Sequence, residues 1–293
     1  MSRSANYRKK GKGNKQNGGA FRHSKSLGQN FLEDMDIVRE IVEGSMVDRD
    51  TVVIEIGPGQ GVLTAELAEE AGRVIAIELD DRLIPELKAR FIAYDNVEIV
   101  HGDILETDVR SLIENAESEY GLTKARVIGN LPYYITTPII TSLITGNLPI
   151  LSVTAMMQKE VADRLIAKPG TSGCGVVTYL VQYYTEVTRI CEAGREAFYP
   201  APKVDSTVLR MDMLPEPPVT VKNEKVFFQC IKAGFSLRRK TLLNSLSAAW
   251  HMDKKNTARI LEKGGIDPER RAETLTMEEF ARLADSMEEE SIR

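Results

Sequence analysis

Short apolar runs alternate with amphipathic stretches along most of this chain, and this alternation restricts the fold more than any other feature of the sequence. Runs rich in Val and Ile are typical of strands, and the stretches between them carry apolar residues at helical spacing. This order predicts βα units and a mostly parallel sheet in an α/β fold. The predicted strands cover 51–56, 73–77, 97–100, 125–129 and 151–157, and the predicted helices cover 61–71, 81–93, 107–119 and 136–145.

Two further β-branched runs follow this alternating region. A helix predicted around 175–184 precedes strands at 185–190 and 206–212, which would close the sheet with an antiparallel edge. The next segment, LPEPPVT at 214–220, contains three prolines within four positions. Proline blocks helices and removes the hydrogen-bond donors that strands need. We therefore predict a seven-strand α/β domain over 21–213 that ends at a linker over 214–220.

Beyond this linker the sequence shows only helical patterns. The last helix is predicted to begin at Thr276, and Glu279 stands three residues further on, which is the spacing of a capping box. These patterns predict a smaller, all-helical C-terminal domain over 221–293. Its predicted helices cover 223–234, 237–250, 254–263 and 276–287.

Charge is distributed unevenly along the chain. The formal net charge is −5, yet residues 1–32 contain eight Lys or Arg residues and no acidic residue. Residues 1–20 are rich in Gly, Asn, Lys and Arg, a composition that cannot bury enough apolar surface to fold. We predict a disordered basic tail over 1–20. Whether it only solubilises the protein or also binds phosphates stays open.

Several classes of protein are disfavoured by composition. The sequence has no apolar stretch of the ~18 to 20 residues that a membrane-spanning helix requires, and no signal-peptide pattern. Its three cysteines, Cys174, Cys191 and Cys230, form no CxxC pair, so neither a disulfide framework nor a metal site is indicated. We expect a soluble, cytoplasmic protein without a bound metal.

A glycine-rich segment, Glu55-Ile-Gly57-Pro-Gly59-Gln-Gly61, follows the first predicted strand and leads into a helix. Glycines allow a strained turn and let a ligand approach the backbone, while a helix N-terminus favours negative or polar groups. The segment predicts a nucleotide-type site, although such loops also serve tight packing alone. A dinucleotide fingerprint would place its third glycine at Val62, so NAD is disfavoured.

Two acidic residues follow neighbouring strands on the same predicted edge of the sheet. Glu78 lies just after the second strand, where an acid can accept hydrogen bonds from both ribose hydroxyls of an adenosine. Asp103 follows the third strand, where a carboxylate can accept from the exocyclic amine of adenine. Ligands on open α/β sheets bind beyond the carboxyl ends of the strands. Each acid alone could equally be a solvated loop residue, but together they favour an adenosine site.

The fourth predicted strand ends in Asn130-Leu131-Pro132-Tyr133. An exocyclic amine on a base is a poor nucleophile because its lone pair is delocalised into the ring. Acceptors from the Asn130 side chain and the Leu131 carbonyl would favour a pyramidal nitrogen, while Pro132 fixes the turn and has no N–H donor. Tyr133 offers a flat face for stacking, worth ~1 to 3 kcal/mol per base. The alternative is a simple turn with a half-buried tyrosine.

These motifs resemble those of a known enzyme family. The chain is similar to the ribosomal RNA adenine N6-methyltransferases, and specifically to the small-subunit ribosomal RNA adenine dimethyltransferases, from about residue 24 to its end. The matching segments, in chain order, are SLGQNFL at 26–32, EIGPG at 55–59, NLPYY at 130–134, FYPAPKVDS at 198–206 and FSLRRKTL at 235–242.

The resemblance implies a Rossmann-like S-adenosylmethionine-dependent methyltransferase domain followed by a helical RNA-binding domain. It places Asn30 and Leu32 in the cofactor pocket and the loop of Gly57 and Gly59 against the methionine moiety. It assigns Glu78 to the ribose and Asp103 to the adenine, with Asn130 contacting both cofactor and target. Phe198 would face the target adenine from the side opposite Tyr133.

The implied reaction is dimethylation of N6 on two adjacent adenosines in the 3′-terminal hairpin loop of small-subunit (16S) ribosomal RNA, by a monomeric enzyme with a role in subunit biogenesis. Its partner would be this RNA or the small-subunit particle, with no membrane involved. Arg238, Arg239 and Lys240 lie together at the start of a predicted helix, where they would contact RNA phosphates. A solvated basic turn is the alternative for these three residues.

Three other functions compete with this one. A large-subunit ribosomal RNA methyltransferase of the antibiotic-resistance type shares the tetrapeptide motif, but Leu131, YITTP at 134–138 and FSLRRKTLLNSL fit the small-subunit enzymes better. A ribosome assembly factor with incidental catalysis stays open. A nicotinamide dehydrogenase is disfavoured by Val62 and by the tetrapeptide.

Overall fold

The computed structural model of the protein describes residues 30–291, so the predicted tail over 1–20 and the start of the SLGQNFL motif lie outside the described residues. The strands are β1 Phe31–Leu32, β2 Thr51–Ile56, β3 Arg73–Glu78, β4 Val97–His101, β5 Lys124–Asn130, β6 Ser152–Gln158, β7 Thr185–Ala193, β8 Phe198–Tyr199 and β9 Ser206–Met213. The helices are α1 Met35–Gly44, α2 Val62–Glu70, α3 Ile84–Arg90, α4 Val109–Tyr120, α5 Thr136–Thr145, α6 Lys159–Leu165, α7 Val176–Tyr184, α8 Glu224–Gly234, α9 Leu242–Trp250, α10 Lys254–Lys263 and α11 Met277–Ser291.

Seven strands form one sheet in the order β4-β3-β2-β5-β6-β9-β7. The first five are parallel, β9 runs antiparallel to β6, and β7 runs antiparallel to β9. The predicted α/β fold with an antiparallel edge is confirmed. The strand order reverses between β2 and β5, and open α/β sheets bind their ligands at such a reversal.

Both faces of the sheet are covered by helices, which explains why its strands read as continuous apolar runs. On β2, Val52, Ile54 and Ile56 pack with residues of α4 and α5 such as Ile113. Val53 points to the other face, where it packs with α1 and α2. Residues on one strand therefore alternate between two separate cores.

The sequence prediction missed two helices and a pair of short strands. Helix α1 begins where the side chain of Asp34 accepts hydrogen bonds from the backbone N–H groups of Asp36 and Ile37, an N-cap. Helix α6 follows β6 without an intervening loop. Strands β1 and β8 form a separate antiparallel pair that joins the N-terminal segment to the FYPAPKVDS motif, with Leu32 opposite Phe198.

The C-terminal region is helical, and the 214–220 segment contains neither helix nor strand. Helices α8 to α11 share a core to which α7 also contributes Tyr179 and Tyr183, although α7 precedes that segment. The Tyr179 hydroxyl donates to the carbonyl of Leu275 at 2.6 Å. The helical region is thus built onto α7 of the α/β part, and the boundaries proposed for the two domains stay a prediction.

Two predictions about the helical region had different outcomes. The capping box is confirmed, because the N–H of Thr276 donates to Glu279 and the N–H of Glu279 donates to the Thr276 hydroxyl. The predicted helix over 237–250 is wrong at its start, since α9 begins only at Leu242. There the N–H of Leu242 donates to the carbonyl of Arg270 at 2.7 Å instead of to a preceding helical turn.

Across the described residues, no helix combines the length and the apolar character needed to cross a membrane.

Candidate active site

A cleft opens at the carboxyl ends of β2, β3, β4 and β5, and it encloses about 1110 Å³ when its open mouth is included. The cleft lies where the strand order reverses, as the fold requires of a ligand site. It gathers most of the site residues that the sequence predicted. Those lining it are Asn30, Leu32, Gly57, Gly59, Glu78, Asp103, Asn130, Leu131, Pro132 and Tyr133.

The glycine loop after β2 forms one wall of the cleft. Gly57 and Gly59 have φ values of +65° and +58°, a backbone conformation that L side chains rarely adopt. A Cβ on Gly59 would lie 2.8 Å from the ring of Phe31. The turn therefore needs glycine both for its dihedral angles and for the close approach of Phe31.

Glu78 is held in place by backbone donors. Its carboxyl oxygens accept hydrogen bonds from the N–H of Gly59 at 3.1 Å and from the N–H of Asp80 at 2.8 Å. Burial raises the pKa of Glu78, and these two hydrogen bonds oppose that rise. A carboxylate can accept about four hydrogen bonds, so acceptor capacity remains for two ribose hydroxyls.

Asp103 stands in a tight turn after β4. Its Oδ1 accepts from the N–H of Leu105 at 2.9 Å, and its backbone carbonyl accepts from the Thr107 hydroxyl at 2.7 Å. The N–H of Gly102 donates to the carbonyl of Glu78 at 3.0 Å, which ties this turn to the end of β3. The two acids therefore share one side of the cleft, as predicted.

The side chain of Asn130 is oriented by a hydrogen bond. Its side-chain Nδ2 donates to the backbone carbonyl of Asn30 at 3.0 Å, which fixes the direction of the amide. Within the described residues, no hydrogen bond reaches its Oδ1. The N–H of Leu131 donates to the carbonyl of Met156, and the Thr136 hydroxyl donates to the carbonyl of Pro132 at 2.9 Å. The tetrapeptide is thus a hydrogen-bonded turn that lines the cleft and leaves the Asn130 Oδ1 without a donor from the described residues.

Tyr133 is anchored through its hydroxyl group. Tyr133 Oη lies 2.8 Å from Ser206 Oγ at the start of β9, and burial raises the pKa of the phenol. The neighbouring Tyr134 also lines the cleft and is 57% exposed. A ring tethered at its hydroxyl is a fixed platform on which a base can stack.

Phe198 is not brought into the cleft. Its side chain is 4% exposed and packs in the core that contains Leu32 and Val208. It pairs with Leu32 because β8 adds to β1. Its proposed place opposite Tyr133 stays a prediction.

The three basic residues lie in the turn between α8 and α9, away from the cleft. Their predicted position on a helix start is wrong, because α9 begins after them. Arg238, Arg239 and Lys240 are exposed and form no ion pair with other described residues. Arg238 borders a second groove, whose acidic lining residues are Glu160, Asp163 and Glu273.

Sequence reasoning missed Glu55 as a site residue. It lines the cleft and is only 1% exposed, and its Oε2 has no hydrogen-bond partner. Burial raises the pKa of Glu55 to about 8, and the negative charge of Glu78 adds to this rise. The available signal was an acid inside an otherwise apolar strand, directly before a glycine loop.

The charges of the cleft indicate what it can bind. Among the described residues that line it, three are acidic, Glu55, Glu78 and Asp103, and none is Lys, Arg or His. A pyrophosphate would meet no cation here, whereas a nucleoside with hydroxyls, an amine and a positive charge would meet acceptors. The orphaned Oε2 of Glu55 and the glycine wall fit S-adenosylmethionine, which has these groups. No group of three His, Cys, Asp or Glu side chains in the described part of the chain is placed to hold a metal ion.

Comparison with known proteins agrees with this chemistry. The family model of the ribosomal RNA adenine dimethylases matches residues 20–289. The protein named ribosomal RNA small subunit methyltransferase A of Geobacillus thermodenitrificans strain NG80-2 is 49% identical over 270 residues, which cover 91% of this chain and 92% of that protein. Its namesake from Clostridium botulinum strain Langeland is 46% identical over 265 residues, covering 90% of this chain and 94% of that one.

Two solved structures share the fold of this chain. A dimethyladenosine transferase from Plasmodium falciparum superposes with a TM-score of 0.73 at 27% identity, covering 89% of this chain and 98% of that chain. The 23S ribosomal RNA methyltransferase ErmE shares the fold, with a TM-score of 0.68 at 24% identity, covering 88% of this chain and all of that one. This chain belongs to the ribosomal RNA adenine dimethylase family, whose methyl donor is S-adenosylmethionine.

Proposed function

We propose that the protein dimethylates N6 of two adjacent adenosines in the 3′-terminal hairpin loop of small-subunit ribosomal RNA, and that it acts in small-subunit biogenesis. The names of its relatives support the choice of subunit. The observation that carries the chemistry is the hydrogen bond from Asn130 Nδ2 to Asn30, which orients an amide lining the cleft and leaves its Oδ1 as an acceptor. We expect a cytoplasmic monomer whose partner is this RNA or the small-subunit particle.

The cofactor would be held by the residues that line the cleft beyond β2, β3 and β4. Glu78 would accept from the ribose hydroxyls and Asp103 from the adenine amine, while Gly57 and Gly59 would let the methionine moiety approach the backbone. When bound, S-adenosylmethionine would supply a methyl group that a nitrogen lone pair can attack in line, while the C–S bond breaks and the sulfur leaves as a neutral thioether. Most of the rate then comes from positioning by these residues.

The target amine would be prepared by two acceptors. Asn130 Oδ1 and the Leu131 carbonyl accept hydrogen bonds from an N6 amine, which favours pyramidal nitrogen and directs its lone pair outward. Tyr133, tethered to Ser206, supports the base by stacking. The base must leave its stack to reach this turn, as in other base-modifying enzymes. The alkylated amine loses its proton readily, so the site needs no strong base.

Recognition of the RNA would use the helical region. Arg238, Arg239 and Lys240 are exposed and unpaired within the described residues, so their charges are available to phosphates. Phosphate contacts position a protein on nucleic acid without reading its sequence. The acceptors at Asn130 and Leu131 would instead select the base that has an exocyclic amine.

The direct test is transfer of radiolabel from S-adenosylmethionine to small subunits that lack the modification, followed by mapping of the labelled nucleotides. We expect label on N6 of two neighbouring adenosines near the 3′ end of the small-subunit RNA. Large subunits serve as the parallel substrate. Label confined to large-subunit RNA would overturn the proposal and favour an enzyme of the antibiotic-resistance type.

A further inference from the structure

Glu55 occupies a position where the fold calls for an apolar side chain. Residues alternate between the two faces of a strand, so Glu55 shares the face of Val53, which α1 and α2 cover. Its neighbours across the sheet are Ala76 on β3 and Ile128 on β5. The side chain is 1% exposed and still reaches the wall of the cleft. A carboxyl group therefore stands between the core and the ligand site.

The carboxyl of Glu55 has no cation to neutralise it. Helix α2 places the Thr64 hydroxyl beside it, but neither Thr64 Oγ1 nor Glu55 Oε2 makes a hydrogen bond of ordinary geometry. The titratable group that acts on it is Glu78 of β3, whose negative charge disfavours a second carboxylate. Asp80, beyond Glu78, is paired with Arg82. Burying an unpaired charge is costly, so the protein without ligand holds Glu55 protonated at neutral pH.

We propose that Glu55 receives the ammonium group of the cofactor's amino-acid moiety and releases its proton as the cofactor binds. The O–H bond of the carboxylic acid breaks, the proton passes to solvent, and the resulting carboxylate pairs with the ammonium. This inference rests on the proposed placement of the cofactor in this cleft. Glu55 is favoured over Glu78 for this role because Glu78 already accepts from two backbone N–H groups, whereas Glu55 Oε2 accepts from none.

The size of the effect follows from the pKa of about 8 that burial gives Glu55. If the ammonium lowers the pKa of Glu55 well below 6 in the complex, binding at pH 7 releases about 0.9 proton for each ligand. By the same linkage, affinity rises nearly tenfold for each pH unit between about 6 and 7. A carboxylate that was already ionised would show neither effect.

The experiment is calorimetric titration of the whole protein with S-adenosylhomocysteine, which has the ammonium but no sulfonium. Titrations at pH 7 in phosphate and in Tris, which differ in ionisation enthalpy, give the number of protons released. The matched ligand is 5′-methylthioadenosine, which retains the adenosine but has no amino-acid moiety. We expect close to one proton with the first ligand and none with the second.

Glu55→Gln is the matched variant, because it keeps the shape of the side chain and cannot ionise. It should bind S-adenosylhomocysteine with no difference between buffers and with a flat pH dependence. Thermal unfolding checks its fold, and the comparison of the two ligands on the unchanged protein needs no variant at all.

Each outcome has a distinct meaning. Binding of S-adenosylhomocysteine without proton release would overturn this inference and leave the proposed function standing. Equal proton release with 5′-methylthioadenosine would also overturn this inference, because the proton would then come from a group that binds the adenosine part of the ligand. Failure of the unchanged protein to bind either ligand would instead contradict the proposed function itself.

Discussion

Asn130 is the residue at which the cofactor site and the target-base site meet. Its Nδ2 donates to Asn30 and its Oδ1 is left for the substrate, so Asn130→Ala should remove the alignment of the amine. We expect turnover to fall by about 10² to 10³, the range seen when one positioned hydrogen-bonding group is lost from an active site. Cofactor binding, measured by calorimetry, should weaken far less than turnover falls, because Glu78, Asp103 and the glycine loop are unchanged. The free energy of unfolding should change by about 1 kcal/mol, the value of one hydrogen bond.

Asn96→Ala is the matched control for this change. The Asn96 Nδ2 donates to the carbonyls of Ala68 and Ala71, and Asn96 does not line the cleft. This variant loses asparagine hydrogen bonds of the same kind and should retain methyl transfer. Near-normal turnover in Asn130→Ala would contradict the proposed role of the tetrapeptide.

The burial of Glu55 also leads to a prediction of how the free energy of unfolding depends on pH in the absence of ligand. Its pKa is raised by folding, so the folded state binds the proton more tightly and loses stability as the pH rises from about 4.5 to about 8. Glu55→Gln removes this loss. Denaturant unfolding at pH 5, 6.5 and 8 measures the free energy of unfolding of both proteins. Between pH 5 and pH 8 this free energy should rise in the variant, relative to the unchanged protein, by up to a few kcal/mol. A difference that stays constant with pH would mean that Glu55 is not held protonated.

The predicted and observed site residues differ for a physical reason. Glu78, Asp103 and Asn130 could be found from sequence because each ends or follows a strand, and parallel strands bring their carboxyl ends to one edge. The burial of Glu55 and its missing partner depend on α2 and β3, which pack against it from elsewhere in the chain. Likewise, the sequence around Phe198 does not show that β8 pairs with β1 and that this pairing buries the Phe198 ring.

At the scale of elements, the seven strands of the main sheet were predictable and the short pieces were not. Strands covered on both faces are long enough to show runs rich in Val and Ile, as on β2. The two-residue strands β1 and β8 are too short to show a repeating pattern of apolar residues. Helix α6 has only seven residues and follows a strand directly, so its own pattern is not separated from that of the strand. The helix predicted over 237–250 failed because α9 takes its first partners from residues 268–270, which are distant in sequence.

The spacing of β2 and β5 supports a prediction about both the sheet and the cleft. A Cβ on Gly129 would lie 2.6 Å from the carbonyl oxygen of Ile56, its neighbour across these strands. Gly129→Ala must therefore push apart the strands that carry the glycine loop and Asn130. We expect a loss of about 1 to 3 kcal/mol in the free energy of unfolding, as in other overpacked interiors, together with weaker cofactor binding.

Gly121→Ala provides the comparison for Gly129→Ala. Gly121 ends α4 with φ of +69°, and a Cβ there would meet nothing within 4 Å. This variant carries only the backbone strain, about 1 kcal/mol, and should bind cofactor normally. If the two variants behaved alike in both measurements, the strand spacing would not be what positions the site.

At the scale of the whole molecule, the α/β part and the helical region share structure through α7. Tyr179 on α7 is fully buried among the C-terminal helices and bonds to Leu275, so the helical region has a fixed attachment to the sheet. The basic turn over 238–240 stands next to this attachment, since Arg238 and residues just before α7 line the same groove. RNA held at this turn would therefore have a defined position relative to the cleft.

The last prediction addresses how a protein of net charge −5 binds a polyanion. Changing Arg238, Arg239 and Lys240 together to Ala should weaken binding of ribosomal RNA or subunits broadly, with little dependence on loop sequence. Each phosphate contact contributes nearly one unit to the dependence of log affinity on log salt, so the slope should flatten by about two to three. Affinity for S-adenosylhomocysteine should not change, because these residues do not line the cofactor cleft.

The control variant changes Lys225, Lys254 and Lys255 to Ala; these residues are also exposed in the helical region and form no ion pair with other described residues. It changes the net charge by the same amount, so a purely global charge effect would weaken RNA binding equally in both variants. A local phosphate site predicts a large effect in the first variant and a small one in the second, measured as affinity across a salt series. If the first variant kept both the affinity and the slope of the unchanged protein, the turn between α8 and α9 would not contact RNA.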